Sequence, residues 1–355
     1  MKKRGIFISL ILITALVPSI VFGAVELKFA NYFPIPARQS KIGEEFIKDL
    51  EARSKGELKI RYFPAGTLLT APKIYDGVVE GIADIGFSNI GYTFGRFRMT
   101  EALDLPLGFP NAWVANHIAN DFYRQFKPKE WDKVHMLSMH TSPVNVVLSA
   151  TKPVYKMDDL KGMTLRGLGL IAEVVSALGG TPRSIPMPES YEAVQKRVID
   201  GLMIPMETLR AFRLAEVTKY ATECWPIGQV YTFYLVMNKD TWNKLSPALQ
   251  KVFNEYPFEE KLATTWNEID IDGKQLGIQK GLKFIELPRD EIAKWKKAVE
   301  PVLDRYVKKM VASGYQEKET RELINYARMR TEYWTKKQKE LGIKSSTGPS
   351  EVRLK

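Results

Sequence analysis

Arg166 is the residue whose type and setting best fit ligand-binding chemistry. It ends a short stretch with strand character, and Gly167-Leu168-Gly169 then turns the chain into a helical pattern. At such a turn the first backbone N–H groups of the helix face the same space as the side chain that ends the strand, which favours an anion. A planar guanidinium can hold both oxygens of a carboxylate. The pattern predicts a site for an organic acid; the alternative from residue type alone is a solvated surface arginine.

The stretch from Asp158 to Leu209 that carries Arg166 alternates strand and helix patterns. Apolar spacing predicts a helix after the glycine turn, and Gly179-Gly180 ends it. The elements predicted next are a strand (Arg183 to Pro186), a helix (Glu189 to Ile199, with Tyr191, Val194 and Val198 inward) and a strand (Leu202 to Pro205). Alternation of this kind is typical of a parallel sheet covered by helices.

The first part of the chain after residue 24 predicts another unit of the same kind. A strand pattern runs from Val25 to Phe33, a helix follows and ends near Gly56, and a second strand covers Leu58 to Phe63. A β-α-β order implies parallel pairing with a right-handed crossover. Ligands bind at the carboxyl ends of such strands, so we expect the end of the first strand to reach a cleft.

A short internal repeat indicates two similar lobes. Two segments share a tyrosine, apolar residues three and seven positions later and an aspartate nine positions later: Tyr75, Val78, Ile82 and Asp84, and Tyr191, Val194, Val198 and Asp200. A helix followed by a strand, used once in each lobe, would give this spacing. A match this short also arises by chance.

Two predicted crossings connect the lobes. Strand patterns over Val134 to Met139 and Val144 to Ser149 carry the chain out of the first lobe, and Tyr231 to Asn238 brings it back. Crossings of this kind form a hinge about which one lobe can close on the other. Helical segments then run to about Lys280 with a break at Pro257, and two long helices follow a short strand, over Asp290 to Ala312 and Glu317 to Lys339.

The N-terminus has the pattern of a secretory signal. Met1-Lys2-Lys3-Arg4 is followed by an apolar run from Ile6 to Phe22, which predicts cleavage near Gly23 and a signal peptide over residues 1–23. A permanent membrane anchor is the alternative, and Pro18 together with small residues at the end of the run favours removal. Cys224 is the single cysteine, so the chain forms no internal disulfide.

The 355-residue chain is 45% hydrophobic, enough for two domain cores, and its formal net charge is +11. Basic and acidic residues are interleaved, and no basic block carries stacking aromatics, so nucleic-acid binding is not predicted. The polar end of the chain, Ser345 to Lys355, is expected to be mobile.

Ordered motifs resemble the DctP-type solute-binding proteins of tripartite ATP-independent periplasmic (TRAP) transporters. The sequence DLKGMTLR ends at Arg166, and GGTPRSIPMPESYEAVQKRVIDG follows over residues 179–201. Further matching stretches lie in the same order over residues 54–69, 77–92 and 233–250, and the resemblance covers roughly residues 25–310. The ordered combination is far more specific than any single stretch.

The resemblance implies a set of ligand contacts. Arg166 would bind the substrate carboxylate, Asn89 and Asn31 would complete the polar shell, and the candidates for the rest of the pocket are Phe33, Met187, Ile204, Glu207 and Phe233, with Tyr231 as a further aromatic wall. Each of these also has an ordinary reading as a turn, capping or core residue. Ile204 stands where better-known members carry an asparagine, and Asn145-Val146-Val147 stands where some sugar-acid binders carry a second basic residue. These departures favour an aromatic or branched-chain carboxylate, including a 2-oxo acid, over a sugar acid or a C4-dicarboxylate.

No catalytic motif accompanies this site. His117, His135 and His140 have no metal-ligand spacing, and HExxH, CxxC, P-loop and GxSxG sequences are absent from the 355 residues, so we expect no cofactor or metal. An enzyme on the same scaffold would depend on Glu207 as its base. A ligand-sensing extracytoplasmic domain that docks on a receptor is the other alternative.

Together these patterns predict an α/β, two-lobed periplasmic-binding-protein fold of type II-like form, with a hinge of crossing strands and long C-terminal helices. Lobe 1 would comprise residues 24–143 and 232–271, lobe 2 residues 144–231 and 272–340 with the bracing helices, and residues 341–355 a mobile tail. The expected function is periplasmic capture of an organic acid for a permease driven by an ion gradient, with one small and one large membrane subunit as partners. The C-terminal helices fit either a monomer or an exchange between two copies.

Overall fold

The computed structural model describes residues 24–354. The predicted signal peptide, residues 1–23, lies outside the described residues, as does Lys355. Within residues 24–354, none of the helices combines the length and the apolar character needed to cross a bilayer.

The strands, in chain order, are β1 (Val25–Asn31), β2 (Leu58–Phe63), β3 (Ile85–Asn89), β4 (Val134–Thr141), β5 (Val146–Ser149), β6 (Thr164–Arg166), β7 (Thr181–Arg183), β8 (Gly201–Ile204), β9 (Tyr220–Glu223), β10 (Thr232–Asn238) and β11 (Lys283–Glu286). The α-helices are α1 (Arg38–Arg53), α2 (Ile74–Val79), α3 (Ala112–Phe126), α4 (Leu170–Ala177), α5 (Ser190–Gln195), α6 (Thr208–Ala211), α7 (Lys239–Lys244), α8 (Pro247–Asn254), α9 (Phe258–Gln279), α10 (Arg289–Ala312) and α11 (Glu317–Leu341). The predicted elements are present, with most boundaries displaced by a few residues.

One sheet forms the base of the first lobe, with strand order β2-β1-β3-β10-β4 among the described residues. β1 pairs in parallel with both β2 and β3, as the β-α-β pattern predicts, and β10 pairs antiparallel with β3 and β4. The carboxyl ends of β1 and β3 therefore lie side by side at one edge of the sheet. Asn31 and Asn89 are the last residues of these two strands.

A second sheet forms the base of the other lobe, with order β11-β9-β5-β8-β6-β7. β6 pairs in parallel with β7 and β8, which places Arg166 opposite Arg183 and next to Leu202. The strand predicted over Arg183 to Pro186 instead ends at Arg183, because the parallel pairing with β6 stops at that pair. The chain then leaves the edge of the sheet through Pro186, which has no N–H to donate.

The two crossings are hydrogen-bonded to each other. β4 leads into β5 through residues 142–145, and β9 leads into β10 through residues 224–231. The Ser142 and Asn145 backbone N–H groups donate to the carbonyls of Tyr231 and Gln229, each at 2.8 Å. The hinge is thus a continuous two-stranded ribbon that runs from one sheet to the other, in agreement with the predicted fold class.

Long helices connect the lobes on the outside. α9 packs against α3 of the first lobe and against α6, which follows β8 of the second. α10 packs on α4 in the second lobe, and α11 packs on α3 and on α10. Trp266 of α9 and Trp295 of α10 are fully buried. These helices limit how far the two sheets can separate.

The internal repeat corresponds to equivalent structures in the two lobes. Asp84 accepts a hydrogen bond from the Lys28 backbone N–H through a carboxylate oxygen at 2.8 Å, and Asp200 does the same for the Thr164 N–H at 2.8 Å. Asp84 directly precedes β3, and Asp200 directly precedes β8. Each aspartate therefore ties the start of its strand to the neighbouring parallel strand, β1 or β6. The shared spacing reflects a shared construction and not a chance match.

The inward position predicted for Val198 is wrong. α5 ends at Gln195, and Arg197 takes a positive φ of 56°, so the chain turns before the predicted helix is complete. The side chain of Val198 is 42% exposed, and Ile82 at the equivalent position of the first lobe is 43% exposed. In both lobes the apolar residue seven positions after the tyrosine therefore lies in the turn that follows the helix, and not on the buried face of the helix.

The tail predicted to be mobile is packed against the body. Ser345 and Thr347 are fully buried, and the Thr347 hydroxyl donates to the Pro110 carbonyl at 2.8 Å. The Ser346 hydroxyl donates to the buried carboxylate of Asp270 on α9. The polar side chains that indicated a mobile tail instead form buried hydrogen bonds. Sequence hydropathy does not distinguish a polar side chain that is buried and hydrogen-bonded from one that is exposed.

Removal of residues 345–355 should lower the free energy of unfolding by about 3 kcal/mol, since buried side-chain hydrogen bonds to the tail contribute about 1 kcal/mol each. Chemical denaturation followed by circular dichroism measures the change. The control is Ser350→Ala, whose exposed hydroxyl bonds only to the adjacent Glu351. A truncated protein as stable as the control would contradict the packed position of the tail.

Candidate ligand-binding site

A cavity of about 20 Å³ lies between the two sheets, where strands of both lobes end. Residues after β1 and β3 line it from the first lobe, and residues at or after β6 and β8 line it from the second. This volume holds little more than one water molecule. Arg166 within it is only 1% exposed, so a ligand can enter only when the lobes move apart.

Arg166 is held in place by neutral groups. Its Nε–H donates to the Ile185 carbonyl at 3.1 Å, and Nη1 donates to the Tyr231 hydroxyl at 2.9 Å. The Tyr231 hydroxyl in turn donates to the Met203 carbonyl at 3.1 Å. These contacts engage Nε and Nη1 and fix the plane of the guanidinium, which leaves other N–H groups for a ligand.

Arg166 lacks an acidic partner. Among residues 24–354, no carboxylate oxygen lies within 4.0 Å of its guanidinium. A buried charge without a partner is costly, and native proteins normally pair it. We therefore expect the partner of the Arg166 guanidinium to be an anionic group of the ligand.

Three tyrosines surround the guanidinium. Burial raises the pKa of Tyr32, Tyr92 and Tyr231, so all three are neutral hydroxyls at physiological pH. The Tyr92 hydroxyl accepts a hydrogen bond from the Met187 backbone N–H at 3.1 Å and lies within hydrogen-bonding reach of Arg166 and Tyr32. The cluster offers rotatable donors around a single cation, which suits an anionic oxygen.

Glu207 lines the same cavity, and its surroundings favour the protonated carboxyl at neutral pH. Burial raises its pKa, a hydrogen bond from Gln39 lowers it and the nearby Asp270 carboxyl raises it, which together give a pKa of about 8. The Gln39 amide donates to Glu207 at 2.5 Å, and the Glu207 backbone N–H donates to Asp270 at 3.0 Å. A protonated Glu207 can donate a hydrogen bond and does not repel a carboxylate.

Aromatic rings form the rest of the cavity wall. Phe33 lies 5.9 Å from Phe212 and 6.0 Å from Phe233 between ring centroids, and all three line the cavity. Met187 and Ile204 line it from the second lobe. The wall is therefore apolar opposite the single cation, which suits a ligand with a charged end and an apolar body.

Seven of the eight predicted contacts meet at this cavity: Arg166, Asn89, Phe33, Met187, Ile204, Glu207 and Phe233. The Asn89 carbonyl oxygen accepts from the Gly91 N–H at 2.8 Å, which orients the side-chain amide at the end of β3. Their contact with a ligand stays a prediction.

Asn31 does not face the cavity. Its amide NH₂ donates to the Tyr62 hydroxyl at 2.8 Å, and its carbonyl oxygen accepts from the Phe33 backbone N–H at 3.1 Å. The side chain thus braces the turn after β1 within the first lobe. Tyr32 and Tyr92, and not Asn31, are among the residues that line the cavity.

The sequence interpretation did not include Tyr92, Ser142, Thr208 or Phe212, which also line the cavity. Tyr92 follows β3 by three residues, so its proximity to a strand end was the one available signal. Phe212 and Ser142 come from a loop and from the hinge, and no periodicity marks them.

None of the three histidines is among the residues that line this cavity. His117 Nδ1 lies 2.7 Å from Glu259, and His135 stacks on Trp242 with ring centroids 3.6 Å apart. His140 is fully buried beside Phe233. Within residues 24–354 no cluster of His, Cys, Asp and Glu could hold a metal ion.

Comparison with known proteins places the chain among bacterial binding proteins. Residues 37–309 match the family described as bacterial extracellular solute-binding protein, family 7 (DctP). The 2,3-diketo-L-gulonate-binding periplasmic protein of Escherichia coli is 24% identical over 270 residues, which cover 72% of this chain and 80% of that protein.

Solved structures share the fold. A marine metagenome TRAP solute-binding protein specific for aromatic acid ligands, in complex with metahydroxyphenylacetate, is 25% identical with a TM-score of 0.82 over 87% of this chain and 99% of that chain. A Roseobacter denitrificans TRAP protein with bound beta-D-glucuronate is 18% identical with a TM-score of 0.76 over 86% and 99% of the two chains, which shows the fold alone. Because the family match spans most of its length, this chain belongs to the DctP family of bacterial extracellular solute-binding proteins.

Proposed function

We propose that this protein captures an aromatic monocarboxylate in the periplasm and delivers it to a TRAP permease. The observation that carries the proposal is the buried, unpaired guanidinium of Arg166, which faces an aromatic-lined cavity between two lobes. Family membership makes the chain a binding protein and not an enzyme.

The charge of the cavity supports one carboxylate and not two. Arg166 is the one arginine or lysine among the described residues that line it. A ligand with a second carboxylate would bury that charge without a partner, which costs several kcal/mol. The cavity thus fits a monocarboxylate better than a C4-dicarboxylate.

The walls support an aromatic body. Phe33, Phe212 and Phe233 can pack around a ring at offset or edge-to-face angles. Ile204 and Met187 provide no hydrogen bond for the hydroxyls of a sugar acid, whose burial without partners is unfavourable. The 25% identical marine protein in complex with metahydroxyphenylacetate adds support.

Delivery requires opening and partners. A periplasmic location, one small and one large membrane subunit and an ion gradient as the driving force follow from the TRAP type of its relatives and belong to this proposal. The hinge ribbon permits the lobes to separate, and the helices α9, α10 and α11 that connect them limit the separation.

The purified protein should bind 3-hydroxyphenylacetate or benzoate at least a hundredfold more tightly than glucuronate or succinate, because only the monocarboxylic aromatic acids satisfy Arg166 without burying unpaired polar groups. Isothermal titration calorimetry measures the affinities. Equal or tighter binding of glucuronate would contradict the aromatic assignment and leave the carboxylate assignment standing.

Arg166→Ala should weaken benzoate binding more than about thirtyfold, since truncation of one partner of a buried charge pair costs ~2–5 kcal/mol. Arg183→Ala is the matched control, because Arg183 pairs with Arg166 across β6 and β7 but is exposed. The control should bind within twofold of the wild type. Nearly unchanged affinity in Arg166→Ala would refute the role assigned to the guanidinium.

Benzoate affinity should fall about tenfold between pH 7 and pH 9. The pKa of Glu207 is about 8, so the proton is bound below this pH and lost above it, and ionised Glu207 would repel the ligand carboxylate. The Asp270 carboxyl raises the pKa of Glu207, and burial raises the pKa of Asp270 itself to about 7; Glu207 in turn raises the pKa of Tyr32. Calorimetry across this pH range checks the fall, and Glu207→Gln, which keeps the donor and removes the charge, should abolish it. The same fall in Glu207→Gln would assign the effect to another group.

A further inference from the structure

A chain of buried hydrogen bonds connects the C-terminal segment to the candidate ligand site. The Ser346 hydroxyl donates to one carboxylate oxygen of Asp270 on α9, and the other oxygen of Asp270 accepts from the Glu207 backbone N–H at 3.0 Å. Glu207 lines the cavity of Arg166. Because Ser346, Asp270 and Glu207 are only 2–4% exposed, water has little access to these bonds.

Close packing of α9 fixes the position of Asp270 against Glu207. Gly273 lies one turn after Asp270 on this helix. A Cβ atom at Gly273 would lie 2.2 Å from the Met206 carbonyl oxygen and 2.7 Å from the Glu207 Cα, and real Cβ atoms do not come this close to their neighbours. Glycine therefore permits α9 to approach the chain that follows β8, and the backbone sets where the Asp270 carboxylate lies.

Hydrogen bonds on both sides of Ser346 hold the C-terminal segment in place. The Asn267 amide of α9 donates to the Lys344 carbonyl at 2.6 Å, and the Thr347 hydroxyl donates to the Pro110 carbonyl at 2.8 Å. The residues before and after Ser346 are thus attached to different parts of the body. The Ser346 hydroxyl is therefore held beside its acceptor on α9.

The groups around Asp270 act on its ionisation in opposite directions. Burial is the largest influence, and with the other groups it gives Asp270 a raised pKa of about 7. The hydrogen bond from Ser346 lowers this pKa, and so do the Glu207 backbone N–H and the Lys274 ammonium, while the Glu223 carboxylate on β9 raises it. Ser346 is thus the group through which the C-terminal segment favours an ionised Asp270.

Glu207 responds to the charge on Asp270. Burial is the largest cause of its raised pKa of about 8, the hydrogen bond from Gln39 on α1 lowers the pKa, and the Asp270 charge raises it. Tyr32 is a further titratable group near Glu207, and its own pKa is raised by burial first and by the charge of Glu207 as well. An ionised Asp270 therefore favours a protonated Glu207, which does not repel a ligand carboxylate.

We propose that Ser346, through Asp270, is a positioning residue of the ligand site that determines the charge that Glu207 presents to the bound acid. This role rests on the proposed capture of a carboxylate. Loss of the Ser346 hydroxyl would leave Asp270 neutral over a wider range of pH, and Glu207 would then carry the negative charge of the pair at a lower pH. Residues 345–354 lie beyond the family match over residues 37–309, so they adjust a site that the matched part builds.

The test follows the titration of Glu207 in the ligand-free protein, by NMR of carbon-13 in the glutamate carboxyl groups, with Glu207→Gln to assign the signal. In Ser346→Ala the midpoint should move down by about half a pH unit, as expected for the change of one nearby charge. Thr347→Ala is the matched control, because it removes a buried hydroxyl of the same segment that bonds to Pro110. Its midpoint should equal that of the wild type. An unchanged midpoint in Ser346→Ala, or an equal shift in Thr347→Ala, would overturn the proposal.

A second pair of variants checks that Ser346 acts through Asp270. Asp270→Asn removes the negative charge that Ser346 stabilises, so it should lower the Glu207 midpoint at least as far as Ser346→Ala does. Addition of Ser346→Ala to Asp270→Asn should cause no further shift, and a further shift would contradict the role of Asp270. Thermal unfolding confirms that each variant is folded.

Calorimetry with benzoate connects Ser346 to binding. The fall in affinity with pH should begin about half a pH unit lower in Ser346→Ala than in the wild type. In the Glu207→Gln background, Ser346→Ala should leave the affinity unchanged, and a loss there would indicate a merely structural role of the segment and contradict the proposal. The NMR titration needs no ligand, so the two proposals fail separately. A wild type that binds no benzoate would refute the proposed function, and an unmoved Glu207 midpoint would refute the role of Ser346.

Discussion

The rest of the structure depends on one unpaired charge, the guanidinium of Arg166, which is buried between two lobes. Water cannot solvate it there, and the neutral partners Ile185 and Tyr231 orient it without cancelling its charge. Binding of a carboxylate offsets the free energy that this burial costs, because two opposite charges attract more strongly in a dry cleft than in water. Affinity and closure of the lobes are therefore linked: the ion pair reaches full strength only in the closed form.

The fold keeps this charge at a fixed place while it permits the lobes to move. β6 positions Arg166 by parallel pairing with β7 and β8, and the hinge ribbon passes beside it, since Tyr231 belongs to that ribbon. Opening of the hinge thus acts on a residue that directly contacts the guanidinium. A second connection runs from the tail through Ser346 and Asp270 to the backbone of Glu207. The end of the chain, which lies beyond the family match, braces one side of the site in this way.

Features that depend on a local pattern of residues could be predicted from the sequence. Parallel strands, the hinge and the position of Arg166 at a strand end follow from periodicity and from ordered motifs. Two differences have physical reasons: the Asn31 side chain bonds to Tyr62 on β2 and to the backbone of its own turn, so it is not among the residues that line the cavity, and Val198 follows a helix that ends early. The buried hydrogen bonds of the tail and the wall residue Phe212 depend on tertiary contacts between distant segments, for which a single sequence carries no periodic signal.

The two lobes contribute different physical terms to binding. The cation comes from the second lobe, while Phe33 and Phe233 come from the first. Electrostatic attraction acts over longer distances than packing, so an open protein would first hold the acid at Arg166 and then close the aromatic wall over its ring. His140 stacks behind Phe233 with ring centroids 5.5 Å apart, so the position of this wall residue depends on the core of the first lobe. Charge therefore governs capture, and packing of one aromatic wall governs which acid is retained.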